Sequence, residues 1–217
     1  MHLFIQILLL ILAYLLGSIP WGFVFGKMKG IDIREHGSKN IGATNTGRVL
    51  GKKYAIITYI CDMVKGALIV ALFTSGIIPM TYCLVSPIIY GLAAVLGHTF
   101  PLYLKFKGGK AVATGGGVLL AYNPILFAIG LGIFFMTMIK SKYVSLGSLI
   151  GTLTALFGSI GLYIINIYFP FNTFYNITFP LGMFIIATII FIRHTSNIQR
   201  LKHHEEAKVN WGHKKAE

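Results

Sequence analysis

Long apolar runs alternate with short basic segments along the 217 residues. A helix needs ~20 apolar residues to cross hydrocarbon. The pattern therefore predicts membrane spans over Leu3–Phe25, Tyr54–Ile78, Tyr82–Leu104, Tyr143–Phe169 and about Ile177–Ile192. One run, Ala111–Ile139, is ambiguous. As a single crossing it would set Lys140 and Lys142 on the face opposite the other basic segments, against the positive-inside rule. Asn123-Pro124 within it is a turn dipeptide, so the run is expected to be a hairpin. Its first arm, Ala111–Ala121, would be about 16 Å long as a helix. An arm that short enters the bilayer only partway, or starts inside a cavity, where irregular backbone is shielded by protein or water. The expected fold is an all-α integral membrane protein of about seven transmembrane helices, one short or partial, forming a single domain over residues 1–217.

Composition agrees with this and adds orientation. The chain is 55% hydrophobic and 12% charged, with a mean hydropathy of +0.74. Soluble domains carry roughly twice that charged fraction. No Lys or Arg precedes the first span, and the next segment holds seven, from Lys27 to Lys53. The N-terminus is thus expected outside and the C-terminus in the cytoplasm. The first run lacks a basic leader and a small-residue cleavage site, and reads as a retained span. The net charge of +13 then follows from topology and from attraction to anionic headgroups, with no need for nucleic acid. Cys61 and Cys83 fall inside spans and imply no disulfide or metal framework. With seven segments, Lys65 alone among the 19 Lys and Arg residues leaves the basic face. It follows Asp62 by three positions, so the two share a helix face. An intramembrane pair of this kind is costly unless it faces a wet cavity or binds a partner.

Three polar segments fall on the basic face. In the first, His36–Leu50, small residues allow tight backbone turns that point N–H groups inward, while Ser38, Thr44 and Asn45 add donors and Lys39 and Arg48 add charge. Such a loop can cradle a phosphate. In the second, Gly97–Thr114, Lys107 and Lys110 bracket Gly108-Gly109 immediately before a helix, whose N-terminus is a natural anion site. It is not a nucleotide-binding P-loop, because Leu104 and Ala111 stand where the first glycine and the Ser/Thr would be. The third, Arg193–Glu206, sets His194 and Asn197 on one helix face. The His203-His204 pair has no zinc-ligand spacing. Ser145, at the start of the sixth span, is a further anion donor or a helix cap.

Together these segments resemble the multi-pass bacterial acyl-phosphate:glycerol-3-phosphate acyltransferases. The resemblance rests on Ser38-x-Asn40-x-Gly-Ala-Thr-Asn45 with Arg48, on Gly97-His98-x-Phe100-Pro101 with Phe106-Lys-Gly-Gly-Lys-Ala-Val-Ala-Thr114, and on Arg193-His194-x-x-Asn197-Ile198-x-Arg200-Leu201. Asp62-x-x-Lys65-Gly66 also matches. His204 stands where a glycine is usual in the third block, and Lys39 where glycine is common in the first.

The resemblance implies transfer of a fatty acyl group from acyl phosphate to the 1-hydroxyl of sn-glycerol 3-phosphate, giving lysophosphatidic acid and phosphate, as the first step of phospholipid synthesis. It implies no cofactor and no metal. Implied partners are the two substrates, membrane lipid and the soluble enzyme that makes acyl phosphate. The implied location is the bacterial inner membrane, with the site on the cytoplasmic side. It assigns Ser38, Arg48, Lys107, His194 and Asn197 to glycerol 3-phosphate, with Lys107, His194 and Asn197 catalytic. Gly42, Ala43, Thr44, Asn45, Gly108, Gly109 and Ser145 are assigned to the acyl-phosphate head.

The residues fit that chemistry, since both substrates carry phosphate and one carries a long apolar chain. The H-x4-D pair of the other large glycerolipid acyltransferase group is missing: Ile41, Tyr103 and Gln199 stand five residues after His36, His98 and His194. A mixed anhydride is already activated, so no covalent nucleophile is required. The competing reading is a small-anion or phosphate-ester transporter, whose features also include broken spans and helix N-termini aimed at anions. Against it, no internal repeat is visible and the polar motifs share one face.

Overall fold

The computed structural model describes residues 1–209, and these form ten α-helices and no strand. In chain order they are α1 (His2–Gly17), α2 (Trp21–Met28), α3 (Ala43–Leu50), α4 (Lys52–Thr74), α5 (Pro87–Thr99), α6 (Val112–Tyr122), α7 (Pro124–Ser141), α8 (Val144–Tyr168), α9 (Thr178–Arg193) and α10 (Thr195–Lys202). Four segments are each long and apolar enough to cross a bilayer: α4, α5 with its following turn, α7 and α8. The bent pairs α1–α2 and α9–α10 bring the number to 6, and α6 is a shorter apolar helix of 11 residues. The all-helical membrane architecture is the one expected.

Two spans differ in detail from the expectation. Leu3–Phe25 is not one straight helix: α1 and α2 meet at 45°. Pro20 lacks an N–H and disfavours helical backbone at Ile19, which ends α1 and restarts the chain as α2. The polar segment expected to be all loop contains α3, whose N-cap Gly42 is extended. Asn45 explains why this short helix holds. Its carboxamide accepts the Ser38 N–H at 2.7 Å and donates to the Ile33 and His36 carbonyls at 3.0 and 3.1 Å.

The run Ala111–Ile139 is a hairpin. Asn123 caps α7 by accepting the Leu126 N–H at 2.7 Å, with Pro124 at the first helical position, where its missing N–H costs nothing. Glycines bring α6 against α4. A side chain on Gly66 would collide with the Thr114 carbonyl, and one on Gly117 with the Met63 carbonyl. Close backbone packing of this kind replaces the hydrophobic effect as the source of helix association in lipid. Further along, Thr74 Oγ1 donates to the Ala121 carbonyl at 3.0 Å, so α4 and α6 run parallel. Thr114 therefore lies level with Gly66, roughly 21 Å along α4 from Lys52 at 1.5 Å per residue. The short helix begins well inside the bundle, and its N-terminus opens on the cavity described next.

Candidate active site

A cavity of about 840 Å³ lies among α3, α4, α6, α7, α8 and α9, and all three polar segments reach it. Its polar end is lined by Ser38, Thr44, Arg48, Lys110, Ser145, His194, Asn197, Arg200 and Glu206. From there it continues along an apolar trough past Leu119, Phe127, Leu131, Phe134, Met183 and Ile186. Ile56 on α4 and Phe135 on α7 line it while remaining 49% and 46% exposed, so the trough opens sideways onto the face that meets lipid.

Each polar group has a local reason for its place. Gly42 donates its N–H to Asn40 Oδ1 at 2.9 Å, which turns the chain into α3 and leaves the first N–H groups of that helix at the cavity. Thr44 and Arg48 are four apart on α3, both exposed on the same face. Lys110 immediately precedes Ala111, whose positive φ of 59° turns the chain into α6. His194 sits at the 59° bend between α9 and α10 and is 3% exposed. Its Nδ1 lies 2.8 Å from the Ile190 carbonyl, an acceptor only, so Nδ1 carries a proton, and in the neutral imidazole Nε2 keeps its lone pair.

Asn197 links two charges. Its Oδ1 accepts from Lys110 Nζ, and its Nδ2 donates to Glu206 Oε1 at 2.6 Å. Glu206 also accepts from Ser145 Oγ at 2.8 Å and from Arg200 Nε at 2.7 Å. Burial works to raise the Glu206 carboxyl, but the hydrogen bonds from Asn197, Arg200 and Ser145 outweigh it and hold the group below the ordinary glutamate value. Burial pulls the Lys110 ammonium down to about 8, Glu206 opposing the shift and the charges of Arg200, Arg193 and Arg48 adding to it. Such a lysine gains from an incoming anion on both counts, since the anion pairs it and keeps it protonated.

The glycerol-3-phosphate acyltransferase family profile matches residues 7–204 of the chain. Two relatives with that name, from Bacillus cytotoxicus and Bacillus subtilis, are 45% and 44% identical over 210 and 206 residues. The alignments cover 96% and 94% of this chain and 97% of each relative. The chain belongs to the glycerol-3-phosphate acyltransferase family. The crystal structure of PlsY (YgiH), described as an integral membrane glycerol 3-phosphate acyltransferase, is similar with 34% identity and 94% of this chain covered. The TM-scores are 0.81 for its glycerol 3-phosphate form and 0.79 for its lysophosphatidic acid form, over 96% and 95% of that chain.

For a glycerol-3-phosphate acyltransferase, the structure gathers most of the residues read from the sequence. Ser38, Gly42, Ala43, Thr44, Asn45, Arg48, Ser145, His194 and Asn197 all line the one cavity. Lys107, Gly108 and Gly109 do not. Lys107 is exposed, while the Gly109 N–H donates to the His98 carbonyl at 3.0 Å. The lysine of this segment on the cavity is Lys110, three residues later, and Lys39 of the first segment also lines it. Asn45 lines the cavity too, but its carboxamide is occupied in tying the loop.

Sequence reasoning did not assign Arg193, Arg200 or Glu206 to the site. Arg193 holds the Gly108 and Gly109 carbonyls at 2.8 and 3.2 Å. Charged residues at the end of a span read as topology signals, and only their partners distinguish them.

Proposed function

We propose that this glycerol-3-phosphate acyltransferase uses acyl phosphate as donor and releases lysophosphatidic acid and inorganic phosphate. The observation that carries the reading is the junction, in one cavity, of a cationic, N–H-rich end with an apolar trough open to lipid. An acyl phosphate has the matching halves, and its chain can enter sideways from the bilayer.

In this reading Arg48, Ser38 and Lys110 hold the phosphate of glycerol 3-phosphate, and Lys107, exposed upstream, attracts anions into the site. The free N–H groups at the start of α3, with Thr44, bind the phosphate of the donor, and Ser145 helps through the Glu206 network. Gly108 and Gly109 shape the loop that delivers Lys110. His194 Nε2 accepts a hydrogen bond from the glycerol 2-hydroxyl, which aims the oxygen of the 1-hydroxyl at the acyl carbon and leaves its proton free, while the Asn197 carboxamide steadies Lys110. The hydroxyl oxygen forms the new C–O bond, and the bond between the acyl carbon and the bridging oxygen breaks. Phosphate leaves with that oxygen, and the hydroxyl proton passes to the phosphate of the acceptor itself. The developing oxyanion is met by N–H groups in the first turn of α6 and by Lys110, and one such donor typically contributes ~10²–10³ in rate. The site is proposed to face the cytoplasm, as the basic segments require.

Purified protein in detergent tests this directly. Phosphate should be released from acyl phosphate only when glycerol 3-phosphate is present, one phosphate per lysophosphatidic acid formed. No turnover in detergent, combined with glycerol 3-phosphate uptake into proteoliposomes, would support the transporter instead.

A further inference from the structure

The proposed mechanism leaves unused a charged cluster buried in the helix bundle. Asp62, Lys65 and His98 are 2%, 5% and 5% exposed. Lys65 Nζ lies 2.8 Å from Asp62 Oδ1 and donates to the Ile19 carbonyl at 2.8 Å, an oxygen left free by the proline break between α1 and α2. Asp62 Oδ1 stands 3.6 Å from His98 Nδ1, which has no hydrogen-bond partner among the described residues. The other edge of the imidazole meets the glycine loop. A side chain on Gly109 would collide with His98 Nε2, and one on Gly108 with the His98 carbonyl and Pro101. The Gly109 N–H is bound to that same carbonyl at 3.0 Å. Arg193 holds the Gly108 and Gly109 carbonyls through its own two hydrogen bonds. The next residue is Lys110.

We propose that Asp62, Lys65 and His98 are positioning residues for acyl transfer, fixing the Gly108-Gly109 backbone so that Lys110 and the first turn of α6 meet the substrates. Asp62 and His98 border the inner end of the cavity, with His98 Nδ1 turned to Asp62 and its other edge against Gly109, so the cluster joins the cavity wall to the loop. Stability alone does not account for the cluster, because an ion pair this buried is generally no better than apolar side chains of similar volume. What the cluster does that apolar side chains would not is tie the α1–α2 break, α4, α5 and the loop into one rigid frame. A misplacement of ~1 Å at a catalytic centre can cost ~10²-fold in rate.

The test uses the double variant Asp62→Asn/Lys65→Met, which leaves no unpaired buried charge. Hydrogen exchange of the 105–112 segment in the purified full-length protein should accelerate at least ~10-fold, while α7 and α8 keep their protection. This measurement needs no turnover, so it is independent of the donor reading on which the rate measurement rests. In the rate measurement, the double variant should lower kcat/KM ~10–100-fold in the wild-type background. In the Lys110→Met background it should lower kcat/KM less than ~3-fold, because residues acting through one another are non-additive. Unchanged exchange at 105–112, or the same fold loss in both backgrounds, overturns the proposal. His98→Asn, which buries no new charge, should also accelerate exchange at 105–112, and unchanged exchange in that variant overturns the proposal equally. A wild-type protein inactive with acyl phosphate refutes the donor, and the exchange result still decides the cluster.

Discussion

Glu206→Gln probes the network that orients Asn197. The Glu206 side chain is 8% exposed, and its two oxygens receive three donors: Ser145 Oγ, Asn197 Nδ2 and Arg200 Nε. Glutamine offers one oxygen and one NH₂, so at least one donor must face an N–H. If Arg200 keeps the oxygen, Asn197 Nδ2 confronts the new amide and the carboxamide turns over. Its Nδ2 would then point at Lys110, which at present is held by Asn197 Oδ1. One charge-assisted hydrogen bond lost in a buried setting costs about 1.5–3 kcal/mol. Carried into the transition state, that is roughly 10–100-fold in kcat/KM.

The sign of the pH effect follows from the depressed Glu206 carboxyl. Its stabilising contribution is fully present above the ordinary glutamate value of ~4.3 and is lost as pH falls through the lower folded value. Wild-type melting temperature should therefore drop in acid over that window, while Glu206→Gln starts lower and lacks this component. Steady-state kinetics with both substrates varied, together with thermal unfolding from about pH 3 to neutrality, provides the readout. A variant with kcat/KM within twofold of wild type would refute the orienting role of Glu206.

Three further outcomes are expected. Arg48→Ala should raise KM for glycerol 3-phosphate, and Arg48→Lys should restore it only partly, because lysine cannot hold phosphate bidentately; a wild-type KM in Arg48→Ala would remove Arg48 from the acceptor site. His194→Asn should lower kcat but keep the acidic limb of its pH profile, near ~6 for the second ionisation of a phosphate monoester; loss of the limb would make His194 the base. In a cysteine-free background, a cysteine at position 123 should label from outside and one at 142 should not, and the reverse pattern would defeat the proposed orientation.

Hydropathy and charge placement made most of the fold legible, because lipid permits few alternatives: Lys140 and Lys142 required the hairpin, and Asn123-Pro124 located its turn. The break at Ile19-Pro20 was less visible, since the apolar run continues through it and only the Lys65 contact shows its use. α3 is held by the Asn45 carboxamide reaching back to Ile33 and His36, a contact that no periodicity encodes. The site's three segments were readable from residue type. Which lysine of the second segment lines the cavity was not. Lys105, Phe106 and Ala111 take left-handed backbone with φ of 52°, 62° and 59°, so side-chain directions through that loop follow neither a helical nor a strand period. That geometry leaves Lys107 exposed and sets Lys110 against Asn197.

The polar end and the trough are proposed to serve one reaction with one donor. A direct test offers purified protein glycerol 3-phosphate with either a long-chain acyl phosphate or the corresponding thioesters, and weighs the products by mass spectrometry. Lysophosphatidic acid and phosphate should form in equal amounts from acyl phosphate, with no product from the thioesters. Lysophosphatidic acid formed from a thioester but not from acyl phosphate would contradict the proposed reaction.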